Sequence, residues 1–354
     1  MKKLEDLVVI ELASVLAGPS VGMFFAELGA QVIKVENKAT NGDMTRSWKL
    51  PNEEKSKLTS AYFSSVNYLK EYHLLDFKTP DDLQKVKGLI AKADIVLTNF
   101  GPGTEAKFGL DNQSMIALNP HLIIGRISGY GPKNPKPAFD VVLQAETGYI
   151  SMTGSQDSPA KMPVALIDVL AAHQLKEGLL VALLQSEKRP MLVEVSLFDA
   201  AVAGLTNQAS NYLVGQHVAQ AIGTRHPNIA PYGDVFSSAD HVNFVLAVGT
   251  EKHFKALVNA LGDERLMKEA FNANQKRVAH REALVALLQE AFEKNEFKYW
   301  QSRLSALGIP YGKINTIQEV FEKEEAMALV KEEVIAGEHT ARVKGNVFTL
   351  SYLG

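Results

Sequence analysis

Residues 7–36, "LVVIELASVLAGPSVGMFFAELGAQVIKVE", decide the fold. Leu7–Ala13 form a short, nearly continuous apolar run, the pattern of a strand buried on both faces of a parallel sheet. "AGPS" breaks that run, "VGMFFAELGA" reads as a helix, and "QVIKVE" (31–36) reads as the next strand. The alternation continues with a helix near 81–93, then "DIVLTNF" (94–100) and "LIIGRISGY" (122–130), so the spacing predicts an α/β fold around a parallel sheet. The first strand-to-helix turn lacks GxGxxG, and GxxxxGK[ST] occurs nowhere. These absences exclude the standard dinucleotide and P-loop sites.

Two Pro-containing loops follow, "GPKNPKPA" (131–138) and "GSQDSPAKMP" (154–163). A long helix over about 165–187 leads into a strand beginning at "MLVEVS". Residues 206–233, ending "GTRHPNIAPYGD", read as a loop-rich linker. "VNFVLAV" (242–248), "EKHFKALVNALG" and "REALVALLQEAF" then form a second, smaller unit with strand and helix periodicities. The expected division is 1–205 for a large domain, 206–233 for a linker, 234–305 for a small α/β domain, and 306–354 for a return linker and the end of the large domain.

The chain has 354 residues, is 46% hydrophobic and 22% charged, and carries a net charge of −3, which fits a globular protein and argues against broad nucleic-acid binding. It contains no cysteine, so disulfides, thiolate nucleophiles and Cys-ligated zinc are excluded. Glu5, Asp6 and Glu11 interrupt the apolar N-terminus, and no uncharged run is long enough to span a bilayer. The expectation is a cytoplasmic protein with no membrane partner.

The nine histidines form neither HxxxH nor HExxH, so no metal is expected. His226, beside Arg225 in a Gly/Pro loop, is either a residue of a cleft or a turn histidine. Ser128 in "GRISGYG" only loosely resembles a nucleophile elbow. Carboxylates remain. In "MPVALIDVLAAH" (162–173), Asp168 is a lone charge in an apolar run, and its helical neighbours Val164, Ala165, Ala171 and Ala172 offer no counter-charge. It is either a helix N-cap or a partly desolvated functional carboxylate. Asp140, ahead of Val141, Val142 and Leu143, reads as the N-cap of its own helix.

Read in order, "VVIELASVLAGP", "LGAQVIKVENKATNGDMTR", "NFGPGTEAKFGL", "RISGYG", "FDVVLQAETGYISMTG", "MPVALIDVLAAH" and "VEVSLFDA" resemble the successive signatures of the family III (CaiB/BaiF-type) CoA-transferases. That group includes formyl-CoA, carnitine and oxalate CoA-transferases and α-methylacyl-CoA racemase. The resemblance implies a large Rossmann-like domain, a smaller α/β domain, and two ring-shaped protomers interlocked as a homodimer. It implies that Asp168 is the catalytic nucleophile and that coenzyme A, as the acyl-CoA substrate, lies near Val15, Asn99, Phe100, Lys107 and Lys136, with Lys133 a weaker candidate. A small carboxylic acid is the implied second partner. Lys107 stands where many relatives carry arginine, Lys70 is followed by Glu71 where relatives show a basic pair, and Arg46 matches the family in a structural role. The chain also ends earlier than many relatives.

Two departures bear on the activity. Phe139 occupies the position of the racemase histidine, which leaves two-sided proton exchange without its second base. Leu16 replaces the glutamine of formyl-CoA transferase, and "HPNIAPYGD" stands in place of its glycine run, so an acceptor other than formate or oxalate is expected.

Overall fold

The computed structural model describes residues 3–185, 189–351 and 353. The chain divides into one unit of residues 1–152, 160–219 and 328–354, and a second of 153–159 and 220–327.

The first unit is built on six strands: β1 (Val8–Glu11), β2 (Gln31–Asn37), β3 (Lys70–Leu75), β4 (Ile95–Thr98), β5 (Ile123–Ser128) and β6 (Met191–Ser196). All pair in parallel, in the order β3-β2-β1-β4-β5-β6. The expected parallel α/β sheet is present. Its apolar strands alternate between two cores: Val9, Val32 and Leu97 pack with Phe25, Leu175 and Leu179 on one side, while Ile10, Ile33, Val96 and Ile124 pack with Val86 and Ile90 on the other. Helices on both faces explain why these strands lack a polar alternation. β3, not expected from the apolar runs, is an edge strand whose "KEYHLL" mixes charge with apolar residues.

The strand order reverses between β1 and β4. In a doubly wound sheet, the crevice beyond the carboxyl ends of such a pair is where ligands bind. The loops after β1 and β4 are therefore candidates for a ligand site.

The helix expected over 165–187 runs Leu166–Leu183, and residues 186–187 of that expectation lie outside the described residues. Within 206–233, expected as linker, Thr206–Gly215 is helical and Tyr232 begins a strand. The second unit has a three-stranded antiparallel sheet of Tyr232–Ser237, Asn243–Ala247 and Tyr311–Lys313 around Phe236, Phe244, Phe292 and Trp300. It thus extends to 327, beyond the expected 305, because "GIPYGK" supplies its third strand.

The last segment rejoins the first unit as a hairpin, Val330–Ile335 with Glu338–Val343. Three glutamates fasten it. Glu338 accepts the N–H groups of Leu58 (2.6 Å) and Thr59 (3.1 Å), Glu333 accepts that of Leu69 (3.1 Å), and Glu27 accepts from Arg342 (2.9 Å) and the Asn346 N–H (2.7 Å). Among the described residues, no helix is long and apolar enough to cross a membrane.

Candidate active site

The helix Leu166–Leu183 feeds the parallel strand β6 and so runs antiparallel to the sheet, which puts its first turn at the strands' carboxyl ends. Asp168 sits in that turn and is 8% exposed, between the core residues Ile167, Ala171 and Ala172. It is not the cap. The N-cap is Ala165, which has no polar side chain, and the N–H of Ile167 instead donates to Asp140 Oδ1 at 2.8 Å. Asp140 in turn is not the cap of its own helix, whose N-cap is Phe139. Fully buried Gln144 completes the arrangement: its Nε2 donates to Asp140 Oδ2 (2.7 Å), and its Oε1 accepts the Met162 N–H (2.8 Å). A carboxylate borrowed from another helix thus holds the helix start, leaving the Asp168 carboxylate for other work.

The electrostatics follow from this placement. Burial, and behind it the negative charge of Asp140, push the Asp168 carboxyl up to about 7. A carboxylate in a first helical turn ordinarily gains from the helix dipole, but by only about 1 kcal/mol, less than one pKa unit, so desolvation wins. Tyr62 reports the same cluster: burial, then the charges of Asp168, Asp140 and Asp43, raise its hydroxyl to about 12. Segments distant in sequence therefore meet around one hydroxyl, and the Tyr62 ring packs edge-on against Trp48 at 5.1 Å.

The residues expected to contact CoA gather partly at the switch point. Asn99, just after β4, clamps the backbone of Ser14, with Oδ1 accepting its N–H (3.1 Å) and Nδ2 donating to its carbonyl (2.9 Å). Its amide thereby shapes the loop after β1. Val15 follows with φ 74°, a left-handed conformation costly for a β-branched residue. Phe100 packs edge-on against Phe77 (6.2 Å) and, with Ala13, Ser14 and Lys34, lines a cavity of about 300 Å³. Lys107 is exposed on the short helix Thr104–Lys107 after β4. Lys136 is exposed too, but pairs with Glu146 and lies over the Tyr130 ring at 4.8 Å. Lys133 is exposed in the same loop.

Other singled-out residues have structural partners. His226 Nδ1 accepts the Asn228 N–H (3.1 Å), a turn geometry. Ser128 Oγ accepts the Gly131 N–H (3.1 Å). Arg46 binds Glu36 (2.8 Å) and covers the Phe63 ring at 3.8 Å. Lys70 is buried against Glu11 at 2.7 Å. Among the described residues, no group of three His, Asp or Glu is placed to hold a metal ion.

Sequence reasoning missed Tyr62, Gln144 and Asp43. Of these, Asp43 alone has an indirect signal, through its partner Lys34: Glu11 in "VVIEL" and Lys34 in "QVIKVE" are charges inside buried strands, which must find partners.

With this geometry in hand, the comparisons with known proteins are consistent. The model of CoA-transferase family III matches residues 4–353. The chain is 35% identical over 335 residues to a succinate–glutarate CoA-transferase of Agrobacterium fabrum, covering 92% of this chain and 83% of the relative. It is 32% identical over 323 residues to an acetyl-CoA:oxalate CoA-transferase of Acetobacter aceti, covering 89% and 81%. A crystal structure of a CaiB/BaiF family protein from Brucella suis superposes with a TM-score of 0.84 at 34% identity, over 98% of this chain and 92% of that one. The match spans both units and every segment that builds the Asp168 site, and this chain belongs to CoA-transferase family III.

Proposed function

We propose that this acyl-CoA:carboxylate CoA-transferase works through Asp168. The observation that carries the reading is a desolvated carboxylate, relieved of capping by Asp140, in the first turn of a helix at the sheet's carboxyl edge. Ionised Asp168 attacks the donor thioester carbonyl, forming a mixed anhydride and releasing CoA thiolate. The thiolate attacks the aspartyl carbonyl, expels the donor acid and leaves an aspartyl-CoA thioester. The acceptor carboxylate then attacks that thioester and takes the CoA by the reverse sequence. Water destroys an anhydride, so the apolar surroundings supplied by Ile167, Ala171 and Ala172 serve the chemistry directly.

CoA lies along the switch-point loops in this reading, near Val15 and Asn99, with an aromatic wall at Phe100. Lys107 neutralises phosphate as a point charge, and Lys136 does so by exchanging its Glu146 partner for the phosphate. Phe139, 48% exposed at the position of the racemase base, speaks against two-sided proton transfer.

Succinyl-CoA and acetyl-CoA, each mixed with glutarate, oxalate and other small acids, test the reaction by mass spectrometry. At least one pair yields acceptor-CoA, and a 2-methylacyl-CoA in heavy water keeps its α-proton. Rapid deuterium incorporation without any transfer would replace this reading by the racemase. The interlocked homodimer is the proposed assembly. Threaded protomers cannot part without opening a ring, so native mass spectrometry at nanomolar concentration should show dimer, and a predominance of folded monomer refutes the threading.

A further inference from the structure

Three consecutive backbone units after β1 are each held by a different side chain. Lys34 Nζ donates to the Ala13 carbonyl (2.9 Å), Asn99 clamps both polar groups of Ser14, and the Val15 N–H donates to Asp43 Oδ2 (3.1 Å). Asp43 is itself fixed: Oδ1 accepts the N–H (3.0 Å) and hydroxyl (2.8 Å) of Thr45, and Oδ2 pairs with Lys34 at 3.1 Å. Behind it, Glu11 bridges Lys34 (2.8 Å) and Lys70 (2.7 Å), and Lys70 also donates to the Pro19 carbonyl (2.9 Å) and to Asn67 (3.1 Å). These four charges sum to zero, and their side chains are at most 1% exposed.

So complete a set of anchors has a physical purpose. Val15 at φ 74° stores strain, and a β-branched residue stays there only where its surroundings over-determine it. Glu11 and Lys34 are register partners in β1 and β2, so the anchor is rooted in the sheet. Asp43 is the one member that grips the strained residue directly.

We infer that Asp43 is a positioning residue for CoA binding: by holding the Val15 N–H, it locks the Ala13–Val15 loop in the strained form on which the thioester substrate docks. The inference rests on the reading that CoA lies along this loop. Removing the grip lets Val15 relax to negative φ and moves the docking surface. Glycine at 15 adopts φ 74° without steric cost, so it offsets the lost grip.

The test is a cycle of wild type, D43A, V15G and D43A/V15G, read by calorimetric CoA binding and by the KM and kcat of transfer. D43A should weaken CoA binding and raise KM about tenfold with kcat changed far less, and the double variant should recover at least about threefold of that loss. A residue needed only for stability would lower the melting temperature without this split or this rescue. If D43A does not fold, D43N replaces it, with about threefold weaker binding expected because an amide oxygen holds the N–H without the charge on Lys34. Normal CoA binding by the Asp43 variant, or a loss that V15G leaves untouched, overturns the inference while the transfer reading stands. A wild-type protein that fails to bind CoA overturns both.

Discussion

Asp168→Asn should lower CoA transfer by on the order of 10⁴-fold and leave CoA binding intact. The asparagine keeps the size and the helix but cannot form the anhydride, and no backbone cap is lost, because Asp140 already holds the Ile167 N–H. Hydroxylamine adds a second readout. In the proposed mechanism, an acyl-CoA donor makes residue 168 an anhydride and then a thioester, both of which hydroxylamine should capture as a hydroxamate, whereas hydroxylamine without donor should do little. Peptide mass spectrometry should locate the label at Asp168, and donor-dependent label at another carboxylate would falsify the mechanism.

The same substitution should stabilise the fold. Wild-type Asp168 binds its proton more tightly folded than unfolded, so stability falls as pH rises from the ordinary carboxylate range to about 7 and then levels. At pH 8 the asparagine removes that cost, worth up to about 4 kcal/mol for a shift of this size. Urea unfolding should therefore show a gain at pH 8 that shrinks toward pH 5. A site chosen for stability would not carry this carboxylate, and the proposed nucleophilic role accounts for its being kept.

Transfer should fall about tenfold per pH unit below about 7, so that roughly a hundredfold is lost by pH 5. In the proposed mechanism the reactive form is the carboxylate. Burial and the Asp140 charge raise its pKa, and protonation therefore removes the nucleophile at a pH where an ordinary aspartate is still ionised. Asp140→Asn keeps an oxygen for the Ile167 N–H but removes the like charge. The acid limb of the kcat/KM profile should then move to lower pH, with activity at pH 8 within several-fold of wild type. An acid limb near 4 in the wild type, or one that Asp140→Asn moves upward, contradicts this account of the site.

The sequence by itself determined the parallel α/β sheet, because strands buried on both faces are written as short apolar runs at regular spacing. It also singled out Asp168, since an unpaired charge in an apolar helix needs an explanation, and the ordered motifs supplied the family. Asp168's freedom was not legible. The residue that caps its helix is Asp140, 27 positions away in its bond to Ile167, and the helix-start pattern at Asp140 pointed to its own helix instead. Likewise, Glu11 and Lys34 showed as charges in apolar strands, but their pairing depends on the β1–β2 register, and Asp43 and Asn99 reach the same loop from other turns. Local periodicity records which face of an element is buried. Which polar groups meet once those faces are buried depends on how the elements stack, and only the tertiary structure decided it: charges and backbone groups removed from water must find partners wherever the chain brings them.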